Sequence, residues 1–254
     1  MPSLLRFAGS TERGPSGALW GGIVDWVSGS MVTDLGARDF DDFAPYNAGN
    51  ETIAGTTGAA ASLVSERDGV IGVVNLTADA GANAEVGAVR NLWTDLDVIT
   101  QFAVMEWRLR RNDSADAQFT AMGLTDQVGS AVIASNALAI SSNQDFLGYR
   151  WNNDGTIDMV AVVAGTLTEL VDTVATVVNG SATGYTKIGL KIQRTTSLTY
   201  RLTPCINGVI IRAKATNVAS TAIPLVLMRP AIVAGTDATT APSLDRDWFF
   251  YADK

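Results

Sequence analysis

The groups in this chain with chemistry to offer are its carboxylates, one thiol and a scatter of aromatic rings. It has no histidine, which removes the commonest general base, the imidazole metal ligand and any Ser-His or Cys-His nucleophile system. Cleaving a glycosidic bond on a β-sandwich calls for two carboxylates about 5 to 10 Å apart. Glu106 is the best candidate, and it stands alone in FAVMEWRLRR. Strand alternation puts Arg108 on its face, and a guanidinium there would hold the carboxylate ionised and unfit as a general acid. Asp95 and Asp97 have a suitable spacing but precede the strand and read as loop. No catalytic residue is assigned, and the chain reads as a non-enzyme.

Metal and cofactor sites fare no better. WNNDGTID places Asn152, Asn153, Asp154 and Asp158 in one oxygen-rich loop. It lacks the D-x-[DN]-x-[DN]-G spacing and terminal Glu of a calcium loop and reads as a turn. Asp39, Asp41 and Asp42 read as a solvated or subunit-contact surface. Cys205, the single cysteine, can close no intrachain disulfide and reads as a small buried core residue. There is no P-loop, dinucleotide fingerprint or zinc spacing, so no cofactor-binding or metal residue is assigned.

Sugar rings stack on exposed aromatic faces, which makes Trp93, Trp151, Tyr149 and Trp248 the candidates for carbohydrate contact. Arg108, Arg110 and Arg111 form the one basic cluster, but Glu106, Asp113 and Asp116 surround it. It reads as an ion-pair face rather than a phosphate track. With 18 Lys+Arg against 26 Asp+Glu and a net charge of -8, neither nucleic acid nor an anionic membrane is expected as a partner. The start, MPSLLRFAGSTERG, is not expected to be a signal peptide.

The elements that must position these groups are strands. A chain of 254 residues, 47% hydrophobic and 17% charged, can bury a substantial core. From about residue 69 it runs as short stretches rich in Val, Ile, Thr, Phe and Tyr between Gly, Asn, Asp and Ser clusters, the pattern of an all-β sandwich. In 98–109, Ile99, Ala103, Met105, Trp107 and Leu109 share one parity, giving a buried face, and Thr100, Glu106 and Arg108 the other, at least partly wet. Further strands are expected at 118–124, 131–140, 145–152, 157–163, 170–178, 185–193, 198–206, 209–214, 224–233 and 245–253. Asn153-Asp154-Gly155 and Asn207-Gly208 sign two hairpins. Residues 1–65 have another texture, with LWGGIVDWV as one strand, an acidic run and Gly/Thr-rich sequence. They are expected to form an extended arm, rich enough in aromatics to pack on the body or on a neighbouring subunit, ahead of a sandwich over 66–254.

The succession VMEWRLRR, FTAMGLTD, DFLGYRWNNDGTI, GYTKIGLKI, YRLTPCINGV, PLVLMRPAIV and LDRDWFFYA resembles the concanavalin A-like jelly-roll domains of tailed-bacteriophage virion structural proteins. The resemblance covers roughly residues 65–254. It departs at RLTPCI, where the family pattern has "F-Y-V-D-G" before the turn. It implies an all-β jelly-roll sandwich in a non-enzymatic, homo-oligomeric particle component. The role implied first is a capsid decoration or cement protein, assembled in the host cytoplasm, that binds the major capsid protein lattice and copies of itself and stabilises the head. The alternative is a tail or head fibre module that binds host-surface glycans. A glycoside hydrolase or lyase using Glu106 stands behind both.

Overall fold

A computed structural model describes residues 16–20, 24–25, 30–31, 38–41, 47–64, 73–81, 84–111, 118–126, 133–134, 139–140, 144–177, 184–236 and 241–254. One helical turn, α1 (Gly17–Trp20), opens the described chain, followed by β1 (Val24–Asp25), β2 (Ser30–Met31), β3 (Arg38–Asp41), β4 (Glu51–Gly55) and β5 (Ala60–Val64). Next come β6 (Val73–Thr77), β7 (Glu85–Arg90), β8 (Thr94–Asp95), β9 (Phe102–Arg111), β10 (Gln118–Thr125), β11 (Ile133–Ala134), β12 (Ala139–Ile140) and β13 (Phe146–Trp151). The rest are β14 (Thr156–Val163), β15 (Thr166–Thr176), β16 (Thr186–Thr196), β17 (Thr199–Ile206), β18 (Val209–Ile210), β19 (Thr216–Ala219), β20 (Leu227–Thr236) and β21 (Ser243–Asp253).

Two antiparallel sheets carry the architecture. One has eight strands in the order β15-β14-β13-β10-β20-β7-β4, with β8 beside β20. The other has nine, β18-β17-β16-β9-β21-β6-β5, with β19 beside β17 and β3 beside β21. Each strand sends alternate side chains between the sheets. Met105, Trp107, Ile188, Leu190, Phe249 and Tyr251 from the nine-stranded sheet meet Met122, Leu124, Leu147, Tyr149, Met159 and Ile232 from the eight-stranded sheet in one core. An ionic link crosses the same interior. Arg246 on β21 donates to both carboxylate oxygens of Glu51 on β4, at 2.7 and 2.8 Å, and Arg90 on β7 lies 3.5 Å from Glu51.

The all-β sandwich expected from the pattern is the fold observed. The expected 1–65 arm is not separate from it, since β3, β4 and β5 all lie within 1–65 and pair with β21, β7 and β6. The ETIAG and AASLV segments of β4 and β5 hold too few large apolar residues to announce strands. Within LWGGIVDWV, Leu19 and Trp20 belong to a helical turn, because both amides donate to Ser16 O. The 209–214 strand stops after Ile210 at a 3-10 turn over Arg212–Lys214. The 170–178 strand starts earlier, at Thr166, because Ala164 and Gly165 both take positive φ and close a two-residue turn. Both signed hairpins are present, with Asn207, Gly208 and Gly155 at positive φ. Of the 131–140 strand, only the β11–β12 pairing lies within the described residues. Trp26, Phe43, Tyr46 and Asp42 lie outside them.

Candidate functional site

Glu106 occupies the face of β9 that points away from the main core. The sequence reading made that face partly wet; the structure closes it. Glu106 is fully buried, accepting hydrogen bonds from the Ser16 amide at 2.9 Å and the Trp20 indole at 2.7 Å, with the Ser16 hydroxyl also donating. Around it Leu19 and Trp20 pack on Val104, Cys205, Phe250 and Ala252 as a second apolar cluster. Gly189 makes room, since a Cβ there would fall 2.5 Å from Leu19 Cδ2. Nor does Arg108 hold Glu106 ionised as expected. Arg108 pairs with Asp247, and burial pushes the Glu106 carboxyl above its usual range against the hydrogen bonds that lower it. Cys205 beside it is buried as expected, its thiol pushed up to about 12. This constellation anchors the segment around Ser16–Trp20 to the sheet, with its carboxylate closed off from any substrate.

The basic cluster splits by parity. Arg108 and Arg110 share the outer face and pair with Asp247 and Asp245 on β21, the ion-pair face expected. Arg111 turns inward and stacks at 5.0 Å on Trp151. Asp154 accepts from the amide and hydroxyl of Thr156 in an exposed turn, while Asp158 receives Arg150 and Asn152. The loop is thus a hydrogen-bonded turn, as read. Among the described residues, no group of three or more Cys, Asp or Glu is placed to hold a metal. Asp95 and Asp97 lie at a turn in which the Asp97 amide donates to Asp95.

Of the four aromatic candidates, Tyr149 and Trp151 are core residues and Trp93 is 46% exposed; the Trp248 side chain lies outside the described residues. Trp93 sits on a built platform. The register of β8 with β20, Thr94 to Met228 and Asp95 to Leu227, sets Trp93 across from Arg229. The Arg229 guanidinium, itself buried, lies 4.8 Å from the indole centroid. Arg229 also donates to Asn91 Oδ1 at 3.3 Å, and Asn91 donates to Gly49 O at 2.8 Å. Beneath the platform Thr94 Oγ1 is 3.1 Å from Asp253 Oδ2, and the Tyr251 hydroxyl bonds with both. Tyr200 donates to Leu96 O at 2.9 Å. Residues 94–96 are thereby pinned to β21 and β17, and the indole is held with its free surface in solvent. Close to the flat apolar ring is the exposed Asn91, joined to it through the same Arg229. Such a ring with a hydrogen-bonding group close by suits the alternating C–H and hydroxyl surface of a sugar. Sequence reasoning found Trp93 but not its supports, which come from strands far apart in the chain.

The outer face of the eight-stranded sheet is of another kind. Phe119, Ala121, Phe146, Val160, Val162 and Val233 form a third apolar cluster there, every member buried.

Two antiparallel sheets packed face to face on one core make a concanavalin A-like jelly-roll sandwich, and comparison with solved structures agrees. The carbohydrate recognition domain of Emp47p superposes with a TM-score of 0.60 at 12% identity, covering 89% of this chain and 99% of that one. Peanut lectin gives 0.52 at 12% identity, over 86% of this chain and 97% of its own. A Bacillus licheniformis β-glucanase gives 0.50 at 10% identity, over 85% and 98%. No protein-family profile and no curated protein sequence matches the chain.

Proposed function

We propose that this chain is a non-enzymatic carbohydrate-binding sandwich that stacks a sugar ring on Trp93. The observation that carries the reading is the exposed indole packed against the Arg229 guanidinium, with the next residue, Thr94, tied to Tyr251 and Asp253. The carbohydrate recognition domain and lectin among its structural neighbours support it. The enclosure of Glu106 by Ser16 and Trp20 argues against catalysis at the carboxylate best placed by sequence. On an oligosaccharide array the intact protein is expected to bind a subset of glycans and Trp93→Ala to weaken that binding by up to about tenfold, the upper range of a ring-stacking contribution of about 0.5–1.5 kcal/mol. Absence of binding to any glycan, or equal binding by the variant, overturns the reading.

For the biological setting we keep the sequence resemblance as a second proposal: attachment to a phage particle through the major capsid protein lattice. One surface feature favours a protein contact. Val98, Leu198, Val226 and Leu227 are exposed apolar side chains at the end of the sandwich where β9, β17 and β20 begin. Particles stripped of the protein should take it up again, and Leu198→Asp with Leu227→Asp should reduce occupancy; unchanged occupancy removes the proposal.

A further inference from the structure

At the opposite end of the sandwich, where β9 and β13 end and β10 and β21 begin, polar side chains point into the interior. Thr120 on β10 lies directly across from Trp151 on β13, on the face that carries Met122 and Tyr149 into the core. Gln118, two residues before Thr120, shares that face, and its Oε1 accepts from the Ser243 amide. Ser243 precedes Leu244, the cross-strand partner of Arg111. Arg111 closes the circle, with its guanidinium over the Trp151 ring and Nη1 donating to Asn152 O at 2.8 Å.

Gln118 and Thr120 are fully buried and Trp151 is 2% exposed, yet among the described residues Gln118 Nε2, Thr120 Oγ1 and Trp151 Nε1 meet no hydrogen-bond partner. A buried donor left without a partner costs about 1–3 kcal/mol, so three at one end of one core call for a common acceptor. The groups are nearly all donors, and a guanidinium adjoins them. Asn152 Oδ1 is the one atom of the set that only accepts, and the Thr120 hydroxyl can accept as well as donate. A water molecule offers two lone pairs to three donors, whereas an anion accepts from every donor and needs no acceptor in return. The carboxylate that feels Arg111, Asp154, is exposed on its turn and already accepts twice from Thr156.

We propose that Gln118, Thr120 and Trp151, beside the charge of Arg111, form an internal site for a small inorganic anion of the halide or nitrate class, one that stabilises this end of the sandwich. Thermal unfolding of the intact protein in chloride, bromide or nitrate, against gluconate at equal ionic strength, tests it. A small anion is expected to raise Tm by about 3–8 °C over gluconate. The rise should vanish in Thr120→Val, which keeps shape and removes one donor, and in Trp151→Phe, which removes the indole N–H together with part of the ring. A bromide-soaked crystal should show an anomalous peak within hydrogen-bonding distance of Trp151 Nε1. Equal Tm in all salts overturns the proposal, as does either variant becoming more stable than the parent in gluconate and chloride alike, the behaviour of a dry pocket relieved of an unpaired donor.

Discussion

A single carboxylate shows how far environment overrides residue type. Glu106 is buried, so its folded pKa stands above the ordinary 4.5, and the folded chain holds that proton more tightly than the unfolded chain does. The stabilisation from this linkage is complete below the ordinary value and is lost as pH rises through the raised folded value. Replacing Glu106 by Gln should abolish this component. The difference in urea midpoint between parent and variant should therefore shift against the parent as pH rises from about 4 to about 7; a pH-independent difference contradicts the assignment. Glu106 was visible in the sequence as the lone acid of its strand. Its partners were not, because Ser16 and Trp20 lie about ninety residues away. Trp93 was likewise legible as an aromatic but not as an exposed one, since nothing local distinguishes it from Trp151.

Among the elements, close strand contact explains two glycines. Gly123 on β10 and Gly148 on β13 are cross-strand partners, and a Cβ on Gly148 would fall 2.2 Å from Met122 O and 2.5 Å from Gly123 Cα. Gly148→Ala must push the strands apart and is expected to cost about 3 kcal/mol, read as a lowered denaturation midpoint with unchanged m; a neutral result would show that the strands part freely. The ionic crossing between β4 and β21 is the second test. Glu51→Ala removes the bidentate partner of the buried Arg246 and should destabilise by about 3–5 kcal/mol, measured by the same unfolding curve. Strand positions in the central sequence were largely readable from alternation and from the Asn-Gly and Asp-Gly turns. The Ala164-Gly165 turn was missed because Ala at positive φ carries no turn signal, here compensated by Asp145, which accepts from the Ala164 amide at 2.7 Å.

For the whole molecule, early and late segments close the sandwich together. The last strand, β21, pairs with β3, β6 and β9, while β4 extends the opposite sheet through β7. A boundary at residue 65 was plausible from composition, but sheet membership depends on partners far away in sequence. Because both sheets share one core, chemical unfolding followed by tryptophan fluorescence and by far-UV circular dichroism should give coincident transitions, and separated ones would divide the molecule. The central claim concerns the surface this scaffold holds out to solvent. Its most direct test is an NMR titration of the isotopically labelled protein with glycans that score on the array, following the indole N–H of Trp93 and the side-chain amide of Asn91. The account predicts saturable shifts at both groups that disappear in Trp93→Ala. Binding that moves resonances elsewhere and leaves these two in place would contradict it.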